Sequence, residues 1–359
     1  MMKTTRMLKA ALIFCSLLVF AAPAQAEESP AYGDLTGDGM IGAADAAALL
    51  RGVAFGRLSE QTRPDLDFTK NGQIDKTDAR AALLYACGGI EDIIAFGERV
   101  ASGLCDERLF DRFSYTGIQN DRLGNYRSEN VAVTISSGRS GTSNYHLADI
   151  YLQDITSFIT AFGGGAFGGG TETVRSMFES VPDAVVALNG DFYSLHIYGP
   201  VIRNGVTYEG HVSNAWDIGV LLTSGELLTC PYRTLTKEAL AEMDAYQTWV
   251  FGPALLDEQG HAKTSFRSWV TPTNPRSVLG YYEPGHYAFL TVDGRSSESK
   301  GMTMQQLSQL CEDLGFARAY NLDGGQSSVL MAQNGAINDP YRGGRATSDI
   351  LVIRDLQPG

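Results

Sequence analysis

Residues that could do chemistry gather at Asn321-Leu-Asp-Gly-Gly-Gln-Ser-Ser328, where an apolar run, Ala317 to Leu322, ends in a carboxylate, two glycines and two hydroxyls. Glycine lets backbone N–H groups approach a ligand closely, and Ser327 and Ser328 add donors suited to anionic or sugar oxygens. Two upstream blocks share this build: Ala288 to Val292 runs into Asp293-Gly-Arg295, and Val185 to Leu188 runs into Asn189-Gly-Asp-Phe-Tyr193. Asn-Gly and Asp-Gly are also ordinary turn dipeptides. The same order of parts recurs three times, however, with Arg276 and Arg295 nearby, and that points to one cleft lined by strand ends. Arg276 and Arg295 can each offer a planar fork that fits phosphate oxygens. Asp293 and Asp323 are the candidate carboxylates for proton transfer or nucleophilic attack. Asn189, Asp191, Tyr193, Asn321, Gly324, Gly325, Ser327 and Ser328 are the candidate contacts to a substrate or an oxyanion. Turn capping is an equally good role for Asp191 and Ser328, and Arg203 and Arg345 read as partners of surface acids.

The elements that must position these groups lie between about Arg108 and Gly359, where strand and helix patterns alternate. Strands are expected at Val131 to Ile135, Leu147 to Leu152 and Asp349 to Ile353, with two more within Tyr281 to Val292 joined across Glu283-Pro-Gly-His286. Val329 to Ala332 and the segment after Asn334-Gly335 read as a hairpin. The clearest helix runs from Thr303 to Leu314: Thr303 and Gln306 form a capping box, Leu307, Leu310, Cys311 and Leu314 share a face, and Gly315 stops it. A weaker helix is expected over Thr236 to Tyr246. The glycine-rich run Phe162 to Gly170 lacks the Gly-Lys-Ser/Thr ending of a phosphate loop and reads as a flexible connection or flap.

Ahead of this domain lies an internal repeat with an offset of 33 residues, Asp34-Leu-Thr-Gly-Asp-Gly-Met-Ile-Gly-Ala-Ala-Asp45 and Asp67-Phe-Thr-Lys-Asn-Gly-Gln-Ile-Asp-Lys-Thr-Asp78. Both copies set oxygen side chains at loop positions 1, 3, 5 and 12 (Asp34, Thr36, Asp38, Asp45; Asp67, Thr69, Asn71, Asp78), with glycine at the sharp turn. Met40 and Gln73 would add backbone carbonyls, and Asp75 a further oxygen. This set suits two Ca2+ ions. Each loop feeds an Ala/Leu-rich helix, Asp45 to Val53 and Asp78 to Ala86, too short to be stable alone.

Composition narrows the function classes. With 359 residues, 44% apolar and 10% aromatic, the chain can bury a sizeable core and exceeds one average domain. Residues 1–26 read as a secretory signal: Lys3, Arg6 and Lys9, then Ala10 to Ala22, then the cleavage box Ala24-Gln-Ala26. Removing it leaves 25 basic against 41 acidic residues, which disfavours nucleic acid or an anionic membrane as partner. No later stretch is long and apolar enough to span a bilayer. The mature chain is therefore expected to be secreted, extracellular or associated with a bacterial cell surface. Cys87, Cys105, Cys230 and Cys311 allow three full pairings, and Cys311, on an apolar helix face, is at least as well read as a buried thiol. The five histidines (His146, His196, His211, His261, His286) show no HxH or HxxxH spacing, which argues against a two-metal phosphodiesterase.

The repeat resembles the dockerin module, which pairs two calcium loop–helix segments to grip a cohesin. It departs from that pattern in Thr36 and Thr69 and in its N-terminal position. The runs at 189–193, 198–205, 251–256, 274–280, 291–295, 299–310 and 321–328 together resemble the phosphodiester glycosidase family over about 250 residues. Gln326 stands where that family usually has a third glycine. The resemblance implies hydrolysis of a sugar-1-phosphate diester at the glycosidic C–O bond, with α-linked N-acetylglucosamine one candidate sugar. The alternatives are a non-catalytic carbohydrate-binding protein and a metal-dependent phosphodiesterase. The expected architecture is an α+β catalytic domain with a mixed β-sheet (108–359), preceded by a small all-α dockerin-like module of paired EF-hand type (27–92) and a linker (93–107). A glycan or sugar-phosphate substrate and a cohesin-bearing scaffold are the implied partners.

Overall fold

The computed structural model describes residues 32–195, 199–212 and 215–356; the signal segment and His196 lie outside the described residues. The N-terminal part carries three helices, α1 (Ala43–Ala54), α2 (Lys76–Ala86) and α3 (Ile93–Ser102). Each loop of the repeat folds around its own carboxylates. Asp34 accepts the N–H groups of Gly37, Asp38 and Gly39, and Asp67 those of Asn71 and Gly72. Asp45 and Asp78, in the first turns of α1 and α2, reach back to Thr36 and Gly42 and to Thr69 and Asp75. Leu49, Leu66, Phe68, Ala81 and Ala82 form a shared core. Residues 93–107, expected as a linker, instead carry α3. Asp92 caps it, and its Ile93, Phe96 and Val100 complete the same core, because three apolar residues at helical spacing are worth more buried than solvated.

The second part begins with β1 (Gln119–Asn120), β2 (Tyr126–Arg127), β3 (Val131–Ser140), β4 (Ser143–Leu152) and β5 (Phe158–Phe162). Then come α4 (Val174–Ser180), β6 (Ala184–Asn189), β7 (Val201–Arg203), β8 (Val206–Glu209), β9 (Ile218–Leu222), β10 (Leu227–Cys230), α5 (Lys237–Glu242) and β11 (Ala245–Trp249). The remainder is β12 (Arg276–Glu283), β13 (His286–Val292), α6 (Met304–Asp313), β14 (Arg318–Asn321), β15 (Leu330–Ala332), β16 (Gly335–Ala336) and β17 (Asp349–Arg354).

Two sheets stack face to face. One has the order β1-β2-β3-β4-β13-β12-β14, the other β16-β15-β6-β17-β5. Val133, Ile150, Leu279 and Phe289 of the first meet Val186, Leu188, Leu351 and Ile353 of the second. The outer face of the first sheet is covered by α6 through Leu307, Leu310 and Cys311, and that of the second by α4 through Val174, Met177 and Phe178. Strands buried on both faces lose the apolar/polar alternation, which is why β6 reads as a continuous apolar run. The capping box of Thr303 and Gln306 opens α6 as expected.

Three expectations need correcting. The sheets are not mixed: every strand pairing among the described residues is antiparallel, and hairpins such as β3–β4 and β12–β13 need no crossover helix. The helix expected over Thr236 to Tyr246 stops at Glu242. Ala245–Trp249, rich in β-forming side chains, pairs with β9 instead, so tertiary pairing overrides the local pattern. The glycine-rich run is a structured turn: Phe167 stacks on Tyr193 with ring centroids 5.0 Å apart, and the Gly168 N–H donates to Tyr193 Oη at 2.9 Å. Cys87, Cys105, Cys230 and Cys311 are all free thiols.

Candidate active site

The ends of β13 and β14, and the segment entering β12, converge on a cleft of about 180 Å3 lined by Phe251, Trp269, Val270, Asn274, Arg276, Arg295, Asp323, Gly324 and Gly325. Antiparallel pairing sets this up, because Arg276 opposes Val292 while Val278 opposes Asn321. The start of β12 therefore lies between the chain ends that carry Arg295 and Asp323. Gly324 is required by a close approach: a Cβ there would sit 2.8 Å from the Pro275 carbonyl oxygen.

Arg276 is 2% exposed, and its Nε donates to the Met302 carbonyl at 2.9 Å while Nη2 donates to that of Pro272. Burial, with the Arg295 charge adding, brings its pKa down to about 10. Arg295 is exposed; it donates to Asn274 Oδ1 at 2.7 Å and lies over the Tyr341 ring at 5.1 Å. Neither arginine has a carboxylate within salt-bridge distance among the described residues. Two unpaired guanidinium groups facing one cleft leave a positive field that an anion would satisfy.

Asp323 is the carboxylate of that cleft. Its Oδ2 accepts from Ser327 Oγ at 2.5 Å and from Arg345 Nη2 at 2.7 Å, and Arg345 Nε also donates to Ser327 Oγ. Burial pushes the Asp323 carboxyl up, with Ser327 and Arg345 opposing the shift. Arg345, expected at the surface with an acid, thus grips a candidate catalytic group and lies 4.9 Å over the Phe192 ring. Gln326 Nε2 donates to the Gly344 carbonyl, tying the segment that carries Arg345 to the site loop.

Asp293 does not line the cleft. Its Oδ2 meets His146 Nε2 at 2.9 Å, and its Oδ1 accepts from Asn338 Nδ2 and the Asp339 N–H, both at 3.1 Å. His146 Nδ1 in turn meets Ser137 Oγ at 2.8 Å. No local pattern marks His146, 147 residues from Asp293, because cross-strand pairing rather than spacing brings them together.

Several expected substrate contacts turn out to be internal bolts. Asn189 is fully buried and binds Ser277 Oγ, the Val329 N–H and the Asp323 carbonyl, so it holds β6 to the site loop. Asp191 binds Arg203 at 3.0 Å and the Val250 N–H. Arg203, also expected at the surface, is fully buried between Asp191 and Asp349, whose carboxyl is pushed up to about 7 by burial. Asn321 Nδ2 donates to the Gly252 carbonyl. Tyr193 anchors the glycine-rich turn. Ser328 Oγ is buried with no partner among the described residues. Asn189, Arg203 and Asn321 end the strands β6, β7 and β14 and Asp191 follows β6; all four are buried, so their polar atoms serve internal hydrogen bonds.

In the N-terminal loops, Asp34, Asp38 and Asp45 place carboxylate oxygens within 4.8 Å of one another, and no other such acidic cluster occurs among the described residues. All-oxygen donors of this kind fit a hard cation. The second loop brings Asp67 and Asp78 together, with burial first and Asp67 next raising the Asp78 carboxyl to about 6. Asp75, expected as a ligand, caps α2 through the Thr77 N–H at 2.6 Å.

Residues 182–354 match the family model described as phosphodiester glycosidase. The SPbeta prophage-derived uncharacterized protein YomE of Bacillus subtilis (strain 168) is 28% identical over 190 residues, 51% of this chain and 29% of that one. The chain thus spans under a third of that relative. The catalytic domain of zebrafish N-acetylglucosamine-1-phosphodiester alpha-N-acetylglucosaminidase, auto-inhibited by its pro-peptide, superposes with a TM-score of 0.51 at 22% identity, covering 63% of this chain and 83% of that one. That likeness is one of fold: an α+β domain built on antiparallel sheets.

Proposed function

We propose that the sandwich domain hydrolyses a sugar-1-phosphate diester at the glycosidic C–O bond. The observation that carries this reading is the pair Arg276 and Arg295, both without a carboxylate partner among the described residues, beside the Asp323 carboxylate in one cleft. The arginines bind the phosphodiester and stabilise the charge that develops on it as the bond breaks. A phosphate monoester leaves readily with the bonding electron pair, so the reaction needs one carboxylate rather than two. Asp323 is that group: its Oδ2 is fixed by Ser327 and Arg345, and it acts as base for water or as nucleophile at the anomeric carbon. Asp293 is a positioning residue, joined to His146 and to the segment at 338–339. Gly324 and Gly325 let the substrate approach the backbone.

The test is sugar release from a panel of sugar-1-phosphate diesters by wild type, Asp323→Ala and Asp293→Ala, with and without chelator. Turnover abolished in a folded Asp323→Ala protein supports the reading. No turnover of any diester by the wild type, with sugar 1-phosphate still bound, would make the domain a binding protein.

For the N-terminal part we propose a secreted chain whose two loops each take one Ca2+, Asp34, Thr36, Asp38 and Asp45 holding the first and Asp67, Thr69, Asn71 and Asp78 the second. Bound calcium would neutralise the crowded carboxylates and stabilise α1 and α2. The repeat supports a dockerin-like role, with a cohesin-bearing scaffold as partner. Pull-down with a cohesin panel in calcium and then in chelator tests it, and absent or calcium-independent binding would sink it.

A further inference from the structure

The cleft is small and its lip is aromatic. At about 180 Å3 it falls below the roughly 300–1,000 Å3 of sites that engulf a drug-sized ligand. Its floor is polar, with Arg276, Asp323 and the two glycines, so it has room for a phosphate and little more. The rim carries Trp269, which is 65% exposed, whereas Trp249 is fully buried and Trp216 partly so.

The segment that presents Trp269 is anchored on both sides. Phe266 and Val270 pack on the core beneath α6. The Thr264 carbonyl accepts from Gln305 Nε2 at 2.6 Å, and the Thr271 carbonyl from the Met304 N–H at 3.1 Å. Arg267 lies 4.5 Å over the Tyr232 ring and donates to the Ala215 carbonyl. A large aromatic held on a fixed loop beside an anion site offers its negative π face to the slightly positive C–H edges of a sugar ring.

We infer that Trp269 is a specificity residue on which the sugar ring of the substrate stacks, with its phosphate on Arg276 and Arg295 and its aglycone left in solvent. This inference rests on the phosphodiester reading of the same cleft. It makes the ligand a phosphate carrying one recognised sugar ring, and it makes the enzyme tolerant of the group on the far side of the phosphate.

The experiment is calorimetric titration of the full chain with inorganic phosphate, glucose 1-phosphate and N-acetylglucosamine 1-phosphate, for wild type, Trp269→Ala and Trp269→Phe. In Trp269→Ala, affinity for the sugar phosphates is expected to fall about tenfold, the upper range of an aromatic stacking contact, while inorganic phosphate stays within about twofold. Trp269→Phe should recover most of the loss, a rescue that a merely structural role would not show. Sugar-phosphate affinity unchanged in Trp269→Ala, or an equal loss for inorganic phosphate, would overturn the platform while leaving the anion site standing. A wild type that binds no phosphate ligand would overturn the anion site and the platform with it. Turnover of methyl and long-chain diesters of one sugar 1-phosphate at rates within about threefold supports a solvent-exposed aglycone; a larger spread would refute it.

Discussion

Replacing Arg276 with Gln should cost little stability and most of the affinity for phosphate, the reverse of what a structural arginine does. The side chain is 2% exposed, and its pKa falls from 12.5 to about 10. At 1.36 kcal/mol per pH unit, holding that charge at neutral pH costs roughly 3 kcal/mol. The substitution removes this cost and also removes hydrogen bonds to the Met302 and Pro272 carbonyls, worth roughly 1.5–3 kcal/mol each, of which the glutamine amide can keep one. The two effects nearly cancel, leaving a net change within about 2 kcal/mol of zero, or roughly 8 °C or less in Tm for a domain of this size. Arg203→Gln is the control. That guanidinium sits fully buried between Asp191 and Asp349, and breaking such a network costs roughly 3–5 kcal/mol, roughly 6–20 °C. Phosphate at a hundred times its Kd should add about 2.7 kcal/mol to the wild type, roughly 5–10 °C, and nothing to Arg276→Gln. Scanning fluorimetry across a phosphate series reads both quantities. An Arg276→Gln protein destabilised as much as Arg203→Gln, with its phosphate shift intact, would refute the reasoning.

Three further outcomes are expected. Arg345→Gln removes a cation that opposes the burial-driven rise of the Asp323 carboxyl, so the acidic limb of kcat/KM should move to higher pH, with partial rescue by lysine; an unmoved limb would exclude this role. The Asp349 carboxyl, raised to about 7 in the folded state and near 4 when unfolded, makes the native state bind more protons between those values. Stability should therefore fall as pH rises from about 4 to about 7, and Asp349→Asn should flatten that slope in urea titrations; a slope of the same size in the variant would contradict the assignment. Calcium should raise the Tm of the N-terminal module by several degrees, reversibly with chelator, and Asp45→Ala or Asp78→Ala should weaken the effect; equal shifts in all three proteins would place the ion elsewhere.

Much of the fold was legible in the chain because local signals and tertiary packing agree. The capping box of Thr303, the turn at Glu283-Pro-Gly-His286 and the Asp-Gly ends of β13 and β14 each encode their own geometry. Arg276, Arg295, Asp323, Gly324 and Gly325 announced themselves by residue type beside strand ends, and the fold brings them to one cleft. What the sequence hid was depth. Asn189, Asp191 and Arg203 look like cleft or surface groups until a second sheet and β11 cover them, and their polar atoms then serve as internal bonds. Partnerships across strands were equally hidden: His146 with Asp293 and Arg345 with Asp323 depend on register and loop path, which residue spacing does not carry. The segment at 93–107 did carry its signal, an Asp92 cap followed by Ile93, Phe96 and Val100 at helical spacing, and the core of the N-terminal helices receives that face.

The most direct measurement of the central claim is hydrolysis of a sugar-1-phosphate diester in water enriched in oxygen-18, comparing wild type with Asp323→Asn. Cleavage at the glycosidic C–O bond places the label in the released sugar and leaves the phosphomonoester unlabelled, and Asp323→Asn should lose the reaction while keeping phosphate affinity. Label in the phosphomonoester would show attack at phosphorus and contradict the account, as would an Asp323→Asn protein that turns over at the wild-type rate.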